Sequence, residues 1–220
     1  MERTPWDPEG VDVVLDSQGR LHGDAVARLD PGTDLREHYK QLVAARCLDM
    51  RLARMGLPMY ASFAGEEAPI VSAAALLAPN DWIYPGPRDA AAVLTRGLSV
   101  EDCVAQVMGE GPARGRLVPG QLTAPELGVG PVLETVGMQV AVATGHARGQ
   151  KLGGEGAVTV ALCGEGTTTT GLFHESLCIA ATADLPLVIV VKSLQWPDTA
   201  PAEAGLLGEP VADRAKMLGL

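Results

Sequence analysis

The chain has 220 residues, 47% hydrophobic and only 4% aromatic, with a formal net charge of −10. That length buries a sizeable aliphatic core in one or two domains, while the acidic balance, with no Lys/Arg cluster, excludes a nucleic-acid or anionic-membrane surface. Cys47, Cys103, Cys163 and Cys178 form no C-x-x-C pair and lie in apolar stretches, so they read as reduced, buried thiols of a cytoplasmic protein, and nothing reads as a signal peptide or membrane span.

Residues 1–32 carry Pro, Gly and Asp without a sustained period and read as an extended N-terminal arm, with one short strand at 12–15. Asp34, with Glu37 three residues on, opens a helix that runs to about Met55, before Gly56 and Pro58. Its expected apolar stripe is Leu35, Tyr39, Leu42, Val43, Cys47 and Met50. Gly65-Glu66-Glu67 starts a second helix reaching Leu77, with Pro69 in its first turn. A short strand at 81–84 leads to the turn Pro85-Gly86-Pro87-Arg88 and a helix over 89–95. Ser99 and Asp102 begin another helix, with Val100, Val104, Val107 and Met108 on its buried side. Six glycines and four prolines make 109–131 a loop.

The next helix, about 134–150, carries Gly137, Ala141, Gly145 and Gly149 at every fourth position. Such a flat groove lets another backbone approach closely, either at a subunit interface or against the sheet. A buried strand at 157–163 then enters Gly164-Glu165-Gly166, a helix covers about 170–183, and a second strand covers 186–192. This strand–turn–helix–strand unit puts a carboxylate at the carboxyl end of a parallel strand, where open sheets bind ligands. One carboxylate there suits a hard cation and the phosphates it carries. At the end of the second strand, where another oxygen ligand belongs, stands Leu194. A last helix runs from Pro210 to Leu218, and no further strand follows, so the sheet reads as unfinished, with an apolar edge open to a partner.

Taken in order, several motifs resemble the alpha subunit of the thiamine-diphosphate-dependent 2-oxo acid dehydrogenases, most closely the branched-chain type, over about residues 12–220. They are Tyr39-Lys40 with Asp49-Met50-Arg51, Gly65-Glu66-Glu67, Arg88-Asp89-Ala90, and Gly115-Arg116-Leu117-Val118-Pro119-Gly120. Gly137-Met138-Gln139 and Gly164-Glu165-Gly166 follow, with Phe173-His174-Glu175 and Leu185-Pro186 behind them. The resemblance implies an α/β thiamine-diphosphate-binding fold, a partial doubly wound parallel sheet with helices on both faces. Residues 33–220 form that domain, incomplete at its C-terminus. It implies oxidative decarboxylation of a 2-oxo acid with acyl transfer to lipoamide, the cofactor carrying the chemistry. The partners it implies are a beta subunit and a lipoyl-bearing acyltransferase component, in an α2β2-type hetero-oligomer or a homodimer.

By the same resemblance Glu165 is a Mg²⁺ ligand, the backbone of Trp196 another, and Arg88 a contact of the diphosphate. Val136, Gly164, Gly166 and Thr167 surround the coenzyme, and Gln139 matches a position that helps hold a monovalent cation. The chain departs from the family pattern in four places. Ser193-Leu194 replaces a pair of asparagines, Pro87 a tyrosine, and Thr170 with Leu172 two acids, while a histidine-bearing loop falls beyond Leu220. Two functions therefore stay open: a working alpha subunit, or a degenerate member kept as a structural or regulatory assembly subunit. Alternatives also stay open at single residues. Glu165 is a ligand or a solvated turn acid, and Arg88 grips phosphate or pairs with Asp89 or Glu66. Gln139 is a cation ligand or an ordinary helix residue. The threonines at 167–170 bind phosphate or cap the helix, and His146 and His174 read as structural.

Overall fold

Strand β2 (Thr159–Gly164) is apolar on both faces because it is the middle of a parallel sheet, paired with β1 (Trp82–Tyr84) on one side and β3 (Leu187–Lys192) on the other. The architecture comes from a computed structural model that describes residues 18–20, 32–57, 60–110, 119–154, 156–194 and 211–220. The strand expected at 12–15, most of the arm, the motif residues 115–118 and Trp196 lie outside the described residues.

Before β1 come α1 (Leu35–Arg54) and α2 (Glu67–Ala75), and between β1 and β2 lie α3 (Ala90–Thr95), α4 (Val100–Val107) and α5 (Met138–Gly153). Helix α6 (Gly171–Ala183) crosses from β2 to β3, and α7 (Val211–Met217) follows. Alternation along β2 divides the core. Val160 and Leu162 join Ile83 and the buried faces of α1 to α4, whereas Ala161 and Cys163 join Tyr84, Val140 and Ala143, Phe173 and Leu177 on the α5 and α6 side. The α/β fold with helices on both sheet faces is thus the one the sequence implied. Among the described residues β3 is an edge strand, with Val188 exposed and its other aliphatic residues half-buried.

Four expectations need correction: the buried faces of α1 and α4, the burial of every cysteine, and the start of α5. The Asp34 cap of α1 forms as read, its side chain accepting from the backbone N–H groups of Arg36 and Glu37. The predicted apolar stripe, however, is not the buried face: Leu35, Tyr39, Val43, Cys47 and Met50 are exposed, and Ala45, Leu48, Asp49 and Leu52 pack inward. A helix apolar on two faces cannot be oriented by periodicity alone. Likewise Val100 and Met108 on α4 are exposed, and Cys103 and Gln106 take their place beside Val107. All four cysteines are free, but only Cys103 and Cys163 are buried.

Helix α5 starts later than expected because Gly137 adopts a left-handed φ of 87°, where a Cβ would also lie 2.8 Å from the Thr170 hydroxyl. Its small-residue groove resolves one alternative. Gly145 and Gly149 face open space, and the sheet side is formed instead by Gln139, Val140, Ala143, Thr144, Ala147 and Gln150. The groove is not the contact with the sheet.

Candidate functional site

The parallel register pairs Gly164 with Lys192, so β2 and β3 end side by side. Beyond these ends opens a cleft of about 310 Å³ whose walls include Glu165, Leu194, Arg88 and Gln139. The two strand tips that the sequence singled out are therefore neighbours on one cavity, in the size range of a ligand pocket.

Glu165 begins a tight 3₁₀ turn (Glu165–Thr169) and is buried. Gly164 on its strand side has open space around it, so a ligand can approach the backbone there. The Glu165 carboxylate accepts a hydrogen bond from the Ser193 hydroxyl at the β3 tip. Ser193 therefore aims the acid that the sequence picked out.

The threonine run divides. Thr168, Thr169 and Thr170 donate their hydroxyls to the carbonyls of Glu165, Gly166 and Thr167 at 2.7–2.8 Å. The Thr170 oxygen also accepts from the Phe173 N–H at 3.2 Å, which caps α6. Of the four, Thr167 lines the cleft, as does Val136, which is 55% exposed. His174 is exposed on α6, and His146 bonds the Tyr84 hydroxyl at 2.5 Å beside the Trp82 ring, a structural role.

Arg88 does not pair with Asp89 or Glu66. It is exposed on the cleft rim, and a different residue takes both acids. Lys192 sends its ammonium to Glu66 Oε2 and Asp89 Oδ1, each at 2.5 Å, with all three side chains buried. One ammonium cannot compensate two carboxylates. Burial lifts the Asp89 carboxyl above its usual range in spite of Lys192. For Lys192, burial disfavours the ammonium, but Asp89 and Glu66 outweigh it and hold the group above the ordinary lysine value. The sequence carries a signal for this residue: a lysine closing an aliphatic strand of the sheet must find a charge partner if it is buried. Which acids it meets depends on the crossover, which the sequence does not locate.

Two further networks bring Glu66 to the cleft. Asp49 on α1 accepts from the Tyr60 hydroxyl (2.7 Å), the Ser62 hydroxyl (2.9 Å) and the Phe63 N–H (3.0 Å). Arg46 grips Glu67 through both its Nε and its Nη2, the latter at 2.8 Å. The Arg46 hydrogen bond holds the Glu67 carboxyl below its usual range.

The chemistry available is that of hard oxygens. Glu165 and Gln139 line the cleft with oxygen-bearing side chains, and the Ser193 hydroxyl stands against the Glu165 carboxylate. The buried Gln139 Oε1 has no hydrogen-bond partner among the described residues. Leu194, 54% exposed, adds no donor. Among the described residues no group of three or more His, Cys, Asp or Glu could enclose a metal ion. Such a set fits a cation that completes its shell with phosphate oxygens and water, as Mg²⁺ does. Cys163 lies against the cleft, but burial pushes its thiol up to about 12, so it is no nucleophile at neutral pH. No helix among the described residues is long and apolar enough to cross a membrane.

Known proteins share both the sequence pattern and the fold. The family model of the dehydrogenase E1 component matches residues 43–220. The 3-methyl-2-oxobutanoate dehydrogenase subunit alpha of Mycobacterium tuberculosis (strain H37Rv) is 32% identical over 215 residues, 96% of this chain and 55% of that protein. The pyruvate dehydrogenase E1 component subunit alpha of Bacillus subtilis is 28% identical over 211 residues, 94% of this chain and 55% of that protein. The chain thus spans about half the length of these relatives. A transketolase from Campylobacter jejuni superposes with a TM-score of 0.65 at 20% identity, covering 85% of this chain and 33% of the other, which shows the shared fold. With most of its length matched by one family model, and its strand tips set around one cleft, the chain belongs to the dehydrogenase E1 component family.

Proposed function

We propose that this chain is the alpha subunit of a cytoplasmic 2-oxo acid dehydrogenase, holding thiamine diphosphate through Mg²⁺ at the tips of β2 and β3. The observation that carries the reading is the juxtaposition of Glu165, aimed by Ser193, with Arg88 on the rim of the same cleft. The names of the relatives support a 2-oxo acid as substrate. The free cysteines suit a reducing compartment.

Electrostatics support the metal. Four carboxylates line the cleft (Glu66, Asp89, Glu134 and Glu165) against two cations, Arg88 and Lys192. A bare diphosphate entering that cleft meets net repulsion, which a divalent cation on Glu165 offsets. When bound, the coenzyme supplies the carbon nucleophile and electron sink that decarboxylation needs. This chain's own residues bind and orient it. Glu165 takes the cation, Arg88 takes phosphate oxygens bidentately, and Gly164 and Gly166 admit the phosphates close to the backbone. Gln139 Oε1 is left to face a cation or a donor, and Val136 and Leu194 give the ligand apolar contact. Residues 33–220 constitute this coenzyme domain. A beta subunit supplies the other side of the coenzyme, and a lipoyl-bearing acyltransferase accepts the acyl group, in an α2β2-type assembly.

Calorimetry tests the proposal: thiamine diphosphate and Mg²⁺ are titrated into the chain alone and into the chain co-expressed with a beta subunit of the family. The expected result is metal-dependent binding in the complex that disappears in Glu165→Gln. Absence of heat in both preparations would overturn it.

A further inference from the structure

Lys192 lies at the meeting point of three segments that no sequence motif connects. Its ammonium bonds Asp89 Oδ1 and Glu66 Oε2, both at 2.5 Å. Asp89 in turn uses its second oxygen to accept the Gly86 N–H at 2.7 Å, and its own N–H returns to the Gly86 carbonyl at 3.1 Å. The turn bearing Arg88 is therefore closed on both sides by Asp89. Gly86 is itself packed tightly, since a Cβ there would meet Asp89 Oδ2 at 3.1 Å and Gln139 Nε2 at 3.6 Å. Glu66 opens α2 and sits on the segment fixed by Asp49 and Arg46. The β3 tip, the 86–89 turn and the start of α2 all border the cleft.

We propose that Lys192 is a positioning residue for anion binding: by tying Asp89 and Glu66 to the end of β3, it fixes the turn that presents Arg88 to the diphosphate. The role rests on the reading of the cleft as a diphosphate site, and it belongs to Lys192 through Arg88, not through contact with the ligand. A buried ammonium with two buried carboxylate partners is expensive to assemble, and here it restrains two cleft-lining segments. Losing Lys192 leaves Asp89 and Glu66 facing each other without a counter-ion. The carboxylates then separate or take up a proton, and the Asp89 bond to Gly86 loosens with them.

The test uses the full chain with its beta subunit and two probes, inorganic pyrophosphate and thiamine diphosphate, each with Mg²⁺. Dissociation constants are measured for the unaltered protein, Arg88→Ala, Lys192→Met and the double variant, and amide exchange is followed in parallel. Lys192→Met should weaken pyrophosphate binding by roughly tenfold or more, and the double variant should bind no worse than Arg88→Ala, the signature of one residue acting through another. Exchange at the Gly86 and Asp89 amides should quicken while the α5 amides stay protected. Additive losses, or unchanged exchange at Gly86, overturn the proposal. If Lys192→Met does not fold, the triple variant Lys192→Met, Glu66→Gln, Asp89→Asn removes the buried charge. Unaltered pyrophosphate affinity in that triple variant also sinks the idea. Should the unaltered protein bind neither probe, the diphosphate reading fails, while the exchange at Gly86 still decides whether Lys192 holds the turn.

Discussion

At the end of β2 open space surrounds Gly164 beside Glu165, and a neighbour's hydroxyl holds the acid at the edge of a cleft. At the end of β3, its hydrogen-bonded neighbour, Lys192 and Ser193 spend their polar groups on protein partners, and Leu194 brings no donor at all. The register is the same and both tips border one cleft, yet the β2 tip brings it a carboxylate while the β3 polar groups are held by protein partners. The contrast assigns affinity to the first tip and shape to the second. On the proposed reading, the β3 side chains serve the site by keeping the β2 acid and the Arg88 turn in place.

The largest expected effect breaks the β3 side. Lys192→Met leaves Asp89, which is 1% exposed, and Glu66 without their cation, and should cost about 3–5 kcal/mol in urea unfolding. Adding Glu66→Gln and Asp89→Asn should return most of it. On the β2 side, Glu165→Gln should change stability by less than about 1 kcal/mol while reducing Mg²⁺-dependent coenzyme affinity by about 100-fold, roughly 2.7 kcal/mol. If the two substitutions exchange these signatures, with stability lost at Glu165 and affinity at Lys192 independent of Arg88, the division between the tips is wrong.

Much of this was legible in the sequence, and the reason it was incomplete is physical. The parallel strands, the Asp34 cap and the carboxylate of Gly164-Glu165-Gly166 all follow from local pattern, and local pattern fixes short-range geometry. Lys192 was not legible as a hub because its partners sit 126 and 103 positions away in the chain. The inward face of α1 is hidden from the sequence for a related reason. Ala45 and Leu48 are no more apolar than Leu35 or Tyr39, and only the docked neighbours decide which face is covered. The sequence leaves Arg88 open between phosphate and an acid partner, and the structure gives both acids to Lys192.

A smaller effect sharpens the contrast from the opposite direction. Leu194→Asn places an amide oxygen on the exposed β3 tip without disturbing a core, since Leu194 is 54% exposed. Coenzyme affinity measured by calorimetry should rise about tenfold, roughly 1.4 kcal/mol. A gain there with no change in unfolding midpoint would show that β3 shapes the site and lacks only a donor. No gain would mean that Glu165 and phosphate oxygens already satisfy the cation.

The smallest effect concerns Thr170, next to the turn that carries Glu165. Its oxygen accepts the Phe173 N–H at 3.2 Å, and its hydroxyl hydrogen goes to the Thr167 carbonyl at 2.8 Å, so neither capacity is left for a phosphate. Thr170→Ala removes one helix cap, and such losses cost about 1 kcal/mol. Chemical unfolding should register that loss, while the dissociation constant for thiamine diphosphate with Mg²⁺ should stay within about twofold of the unaltered protein. Thr170→Ser keeps the oxygen and should recover most of the stability. A large affinity change in Thr170→Ala would extend the ligand-facing surface from the Glu165 turn into the first turn of α6, because a hydroxyl already committed on both sides can affect binding only by moving the turn it closes.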